Sequence, residues 1–139
     1  MEAVQRVLLL QQQRVQAAKD MDRALFALQE ESNDLAEGFS AYQRECQRIT
    51  AEMQQISMKI REALDSLPTS SRTLVERLQL LERTRLRLTV QIHQNWIQTL
   101  LQHGRCIPVQ FIGKRLFSHE LNRVSDSILE VVSELSCTD

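Results

Sequence analysis

The residues of this chain whose types could do chemistry are few and poorly grouped. His103 and Cys106 stand in an H-x2-C spacing, and His93 and Cys137 are further ligand types. Structural zinc takes two such close pairs, and the second is missing, so no metal site is expected. Cys46 falls on an apolar seam, where a thiol behaves as an inert small hydrophobe rather than a nucleophile. Glu30 and Glu31 sit in a polar stretch with nothing nearby to raise a carboxyl pKa. No G-x-x-x-x-G-K-[ST], G-x-G-x-x-G or G-x-S-x-G occurs, so phosphate-loop and hydrolase readings lack their motifs. The sequence therefore predicts a protein that is not an enzyme and takes no cofactor.

The arginine run "ERTRLRLT" is the remaining candidate. Side chains two apart on a helix point in opposed directions, so Arg83 and Arg87 share a face that Arg85 does not, and Arg72 and Arg77 extend it loosely. Such a face suits phosphate contact along a nucleic-acid backbone. The plainer reading, a solvated face with intrahelical partners such as Glu76 and Glu82, is preferred. At 4% the aromatic residues are too few to interleave with the basic ones, so stacking on single strands is not supported. Trp96, the only tryptophan, is read as core.

Charge is uneven along a chain whose net charge is -1. Residues 1–66 hold 8 Lys+Arg against 11 Asp+Glu, residues 72–123 hold 9 against 3, and residues 124–139 hold 0 against 4. A basic middle between acidic ends allows at most weak, salt-sensitive DNA contact, and helices of one chain can satisfy it by pairing with each other. No run approaches the roughly 20 apolar residues of a membrane span, and "VLLL" is too short for a signal-peptide core. Three cysteines without a CxxC pair fit reduced thiols, which points to an intracellular protein of nucleus or cytoplasm.

The elements that carry these residues read as helices. Three Gly and two Pro in 139 residues argue against a sheet with many tight turns. The predicted fold class is all-α, an elongated antiparallel helical bundle or coiled coil of about four helices in one domain, 1–139. The first helix, 3–30, has Val4, Val7 or Leu8, Val15, Ala18, Met21, Leu25 and Leu28 as its stripe, interrupted at Gln11 and Arg14. A turn at 31–34, with Asp34 and Glu37 spaced as a capping box, leads to a second helix, 34–67; the alternative is a single bent helix, since the four-three spacing continues through Leu28, Leu35 and Phe39. That helix carries Phe39, Tyr42, Cys46, Ile49, Met53, Ile56 and Ile60 at steps of three and four. Pro68 ends it. A third helix, 72–103, carries Leu74, Leu78, Leu81, Leu88, Ile92 and Trp96, with Gly104 placed as its C-terminal cap. A last helix from about Ser118 to 136 has Leu121, Val124, Ile128, Val131 and Leu135 in heptad steps. The stripe through Ile56 and Ile60 is expected to pack on the third and last helices.

Between the last two helices, "CIPVQFIGKRLF" breaks the helical period. It clusters Ile107, Val109, Phe111, Ile112, Leu116 and Phe117 beside Lys114 and Arg115, as a docking surface for an acidic partner would. Phe111, Phe117, Lys114 and Arg115 are the candidate interaction residues; the competing reading has them close the end of the bundle. Apolar grooves of a long helical unit are expected to hold protein partners or a second copy of the chain.

Four segments, "LLLQQQRVQAA", "FSAYQRECQRIT", "ISMKI" and "RLQLLERTRLRLT", together resemble the Required-for-excision 1-B domain family. The family's early Gln-Gln-x-Arg corresponds to Gln12 and Gln13 shifted around Arg14. Its Phe-x-x-Tyr followed by Ile/Val-Thr corresponds to Phe39, Tyr42, Ile49 and Thr50. Its Leu-Gln-x-Leu-Glu-x-x-x-Leu-x-Leu-Thr corresponds to Leu78, Gln79, Leu81, Glu82, Leu86, Leu88 and Thr89. The likeness covers about residues 8–93 and implies a helical fold and a role in excision repair of DNA, with no catalytic residue to carry over. The function expected is a non-catalytic helical adaptor in excision repair, and the alternative is a coiled-coil scaffold subunit of an unrelated intracellular complex.

Overall fold

Where Gly and Pro are scarce and apolar residues recur at three and four, helices run long until a proline stops them. The computed structural model describes residues 2–30, 35–103 and 112–137, with side chains described for 2–28, 36–102 and 119–137. The described residues form the α-helices α1 (Glu2–Glu30), α2 (Leu35–Ala63), α3 (Thr69–His103) and α4 (Ile112–Ser136), with a 3-10 turn at Leu64–Ser66. No strand occurs among them, and the fold class is all-α. The capping box at Asp34, the turn at 31–34 and the Gly104 cap lie outside the described residues. The chain divides into two compact units, Met1–Arg72 and Thr73–Thr138.

In the first unit α1 packs on α2. Asp22 faces Tyr42, Asp20 faces Glu45 and Arg48, and Arg14 reaches Ser57. As one number falls the other rises, so the two 29-residue helices run antiparallel. The α2 seam is Ile49, Met53, Ile56, Ile60 and Ala63, all buried. The helix packed on it within this unit is α1. A heptad stripe says that a face is covered and leaves open by which helix. On α1 the buried line is Val4, Val7, Leu10, Gln11, Arg14, Ala17, Met21, Leu25 and Leu28. It passes through Gln11 and Arg14 instead of breaking there, while Val15 and Ala18 are only half-buried. Each fully covered Ile or Leu side chain contributes roughly 1.5–3 kcal/mol.

Pro68 acts on both sides of the helix break. A residue before proline is pushed to extended backbone, and Leu67 is extended, at φ -96 and ψ 144, after its N–H closes the 3-10 turn on the Leu64 carbonyl at 3.1 Å. The Pro68 carbonyl accepts the Arg72 N–H at 2.8 Å, the first helical bond of α3. Hence α2 ends at Ala63 and α3 starts at Thr69, earlier in each case than the 67 and 72 expected from the sequence. The Arg72 Nε donates to the same Leu64 carbonyl at 3.2 Å, so this arginine satisfies a helix end.

In the second unit α4 starts at Ile112, six residues before the expected Ser118. The heptad of Leu121, Val124, Ile128, Val131 and Leu135 extends backwards one step to Phe117, and Gly113 falls in the first turn, where glycine costs a helix least. Ile128, Val131 and Leu135 are buried.

Candidate interaction surface

Helix α3 carries two heptad seams with opposite environments. The inner seam runs Val75, Leu78, Glu82, Arg85, Thr89, His93, Trp96 and Leu100 at steps of three and four. All are buried except Arg85, whose side chain keeps 16% of its exposure. Leu78, Leu88 and Trp96 are buried as expected, whereas Leu74, Leu81 and Ile92 are half-buried. The covered face is centred about one residue further along than the leucines suggest, because polar residues occupy its middle. Arg85 Nη2 lies 2.6 Å from Glu82 Oε1, an ion pair largely out of water. Such a pair is close to neutral in net stability, but removing one partner strands the other charge.

The outer seam runs Glu76, Leu80, Arg83, Arg87, Val90, Gln94 and Leu101, all exposed. Leu80 is 61% exposed and Leu101 63%, and Val90 lies between them. Among the described residues Arg83 and Arg87 have no carboxylate partner. The preferred reading of the arginine run holds in part: Arg83 and Arg87 are on a solvated face and Glu82 is an intrahelical partner, but of Arg85, and no ion pair joins Glu76 to Arg83 or Arg87. The three arginines of "RTRLR" thus separate by helix phase, one into the inner seam and two onto the outer one.

Of the interaction residues expected from the sequence, Phe111 lies outside the described residues. Lys114, Arg115 and Phe117 fall in the opening turns of α4, with side chains outside the description. The segment from Ile112 onward is helical, which corrects the expectation that it lacks helical period.

Two groups stand out in the first unit. Arg14, 3% exposed, donates from Nε and Nη2 to Gln11 Oε1 at 3.0 and 2.7 Å, and from Nη1 to Ser57 Oγ at 3.5 Å. The signal was present as the seam interruption at Gln11 and Arg14: polar types in a core register are buried with partners, and here they bond to each other. Near the other end of the hairpin the Phe39 and Tyr42 rings stack at 6.4 Å. Burial, then the hydrogen bond that its hydroxyl donates to Cys46, holds the Tyr42 pKa above its ordinary value. Burial likewise raises the Cys46 thiol, which keeps it protonated and a poor nucleophile. On the surface, Asp20, Arg23, Glu45, Arg48 and Glu52 form an exposed charge network, and the hydrogen bond from Arg48 lowers the Glu45 pKa.

No group of three or more His, Cys, Asp and Glu is placed to share a metal ion among the described residues. No helix among them is long and apolar enough to cross a membrane. Of the motif residues singled out above, Arg14, Ile49, Leu78, Glu82, Leu88 and Thr89 are buried, Phe39, Tyr42, Thr50, Gln79, Leu81 and Leu86 are half-buried, and Gln12 and Gln13 are exposed. They report a shared packing scheme more than a reacting centre. A search of curated proteins finds no match to the chain. The family model described as DNA repair REX1-B matches residues 2–95, which span α1, α2, the 3-10 turn and most of α3. With two thirds of its length matched, and the motif residues seated in the helix seams, the chain belongs to the DNA repair REX1-B family.

Proposed function

We propose that this protein is a non-catalytic helical adaptor in DNA excision repair, holding protein partners on the outer faces of its helices in the nucleus or cytoplasm. The observation that carries the reading is the outer seam of α3, an exposed heptad line with apolar residues and with arginines that have no carboxylate partner among the described residues, on a chain of a DNA repair family. A solvated helix face needs no heptad order, whereas a face that receives another helix does. Duplex DNA is a weaker ligand, since two arginines on one seam neutralise few phosphates.

Two measurements test the reading. Cells lacking the protein should clear ultraviolet photoproducts more slowly, and the purified chain mixed with damaged duplex should leave the strands uncut and the bases in place. Normal lesion clearance would overturn the repair role, and incision or base release by the pure chain would overturn the adaptor role.

A further inference from the structure

We infer that the outer seam of α3 is a docking surface for an acidic amphipathic helix of a partner protein. The inference rests on the adaptor reading and adds the chemistry of the partner. From Leu80 to Leu101 the seam spans about 32 Å at 1.5 Å per residue, three heptads of contact. Leu80, Val90 and Leu101 supply apolar positions along it, and Arg83 and Arg87 stand between Leu80 and Val90 without a carboxylate partner among the described residues. A helix laid here would bury those leucines only if it also met the two guanidiniums, because a buried arginine without an anion is costly. Carboxylates beside the apolar stripe of the partner meet that requirement and set its register.

A second copy of this chain fits less well. Antiparallel pairing would set Leu80 against Leu101 and Val90 against itself, but it would place Arg83 against Ile97 and Arg87 against Gln94, each twice over. Parallel pairing would stack Arg83 on Arg83 and Arg87 on Arg87. Either way four guanidiniums enter the layers between Leu80 and Leu101, where the seam has no carboxylate, so most layers lack what a short coiled coil needs. A DNA backbone would meet the arginines but would leave Leu80 and Leu101 against phosphate and water.

The test uses the full chain and two fluorescein-labelled helical peptides of about four heptads with leucine at the core positions. One peptide has glutamate at the flanking positions and the other lysine. Fluorescence anisotropy should show binding of the glutamate peptide, weakened by salt, and none of the lysine peptide. Arg83→Glu with Arg87→Glu should weaken the glutamate peptide about tenfold or more and admit the lysine peptide, and Leu80→Ser with Leu101→Ser should weaken it by a similar factor. All four positions are exposed, and unchanged circular dichroism of the variants shows that the fold is intact. Failure of the wild-type chain to bind the glutamate peptide, or equal binding by the charge-reversed variant, overturns the inference. So does tighter binding of a duplex oligonucleotide through the same arginines, or a dimer in sedimentation that the leucine variants dissolve. None of these results bears on lesion clearance in cells lacking the protein, so the adaptor reading stands or falls separately.

Discussion

The inner and outer faces of α3 use the same residue types for opposite purposes. Arg85 and Arg87 are two residues apart, yet the first lies against Glu82 in a largely buried pair and the second is exposed, with no carboxylate partner among the described residues. Leu78 is fully buried and Leu80 is 61% exposed. In each pair a half-turn of helix decides whether a side chain belongs to the fold or is free for a partner. The lesson is that an arginine run on a helix cannot be read as one charged patch: its members must first be sorted by phase, and only those left outside are available for recognition.

The sharpest way to break this comparison is a charge in each seam. Leu78→Asp should destabilise the protein by more than about 4 kcal/mol, because an aspartate would replace a side chain with no contact with water. Leu80→Asp should change stability by less than about 0.5 kcal/mol. Thermal melts by circular dichroism separate the two, and equal losses would show that the faces have been assigned wrongly. Next in size, Arg85→Ala should cost about 3 kcal/mol by removing the guanidinium paired with the buried Glu82, against a few tenths for Arg87→Ala. Urea midpoints would read that difference. The contrast extends to α1, where Arg14→Ala should cost about 2 kcal/mol through the lost charge-assisted bonds to Gln11 and Ser57, whereas Arg6→Ala on the exposed face should be nearly silent.

The smallest effect is one of pH. The folded-state pKa values of Tyr42 and Cys46 are raised above their ordinary 10.0 and 9.0, so the folded form holds its protons longer than the unfolded one. Their contribution to stability is complete below about pH 9 and is lost as pH rises past those ordinary values. Tyr42→Phe should therefore flatten the alkaline decline in melting temperature. At the acid end Glu45 has the opposite sign: its lowered pKa contributes above the ordinary 4.5 and is lost as pH falls, weakly because the group is at the surface. A steeper alkaline decline in Tyr42→Phe would contradict this account of the ring's environment.

The helices and most of their covered positions were legible in the sequence, because burial imposes the three-and-four spacing on Ile49, Met53, Ile56 and Ile60 whatever covers them. That α1 packs on this seam was not legible, since the stripe has no record of which helix meets it. The buried polar residues were harder. Glu82, Thr89 and His93 look like surface residues by type, and only their register with Leu78 and Trp96 places them inside. Gln11 and Arg14 gave a partial signal as a gap in the seam. The start of α4 was missed because Pro108 and Gly113 look like loop punctuation, although the heptad reaches Phe117. Of the surface now proposed, Arg83 and Arg87 were singled out by their shared phase. Leu80 and Leu101 were not, because an exposed leucine is recognised only once the other face is known to be covered.

The inner seam of α3 serves the fold, and the function proposed for this protein rests on the outer seam. That proposal is tested most directly by supplying cells that lack the protein with either the wild-type chain or the Arg83→Glu, Arg87→Glu variant, at matched abundance, and following the removal of ultraviolet photoproducts. The account predicts that the purified variant melts within about 3 °C of the wild type while the cells that carry it clear lesions as slowly as cells without the protein. Clearance at the wild-type rate by the charge-reversed variant would contradict it.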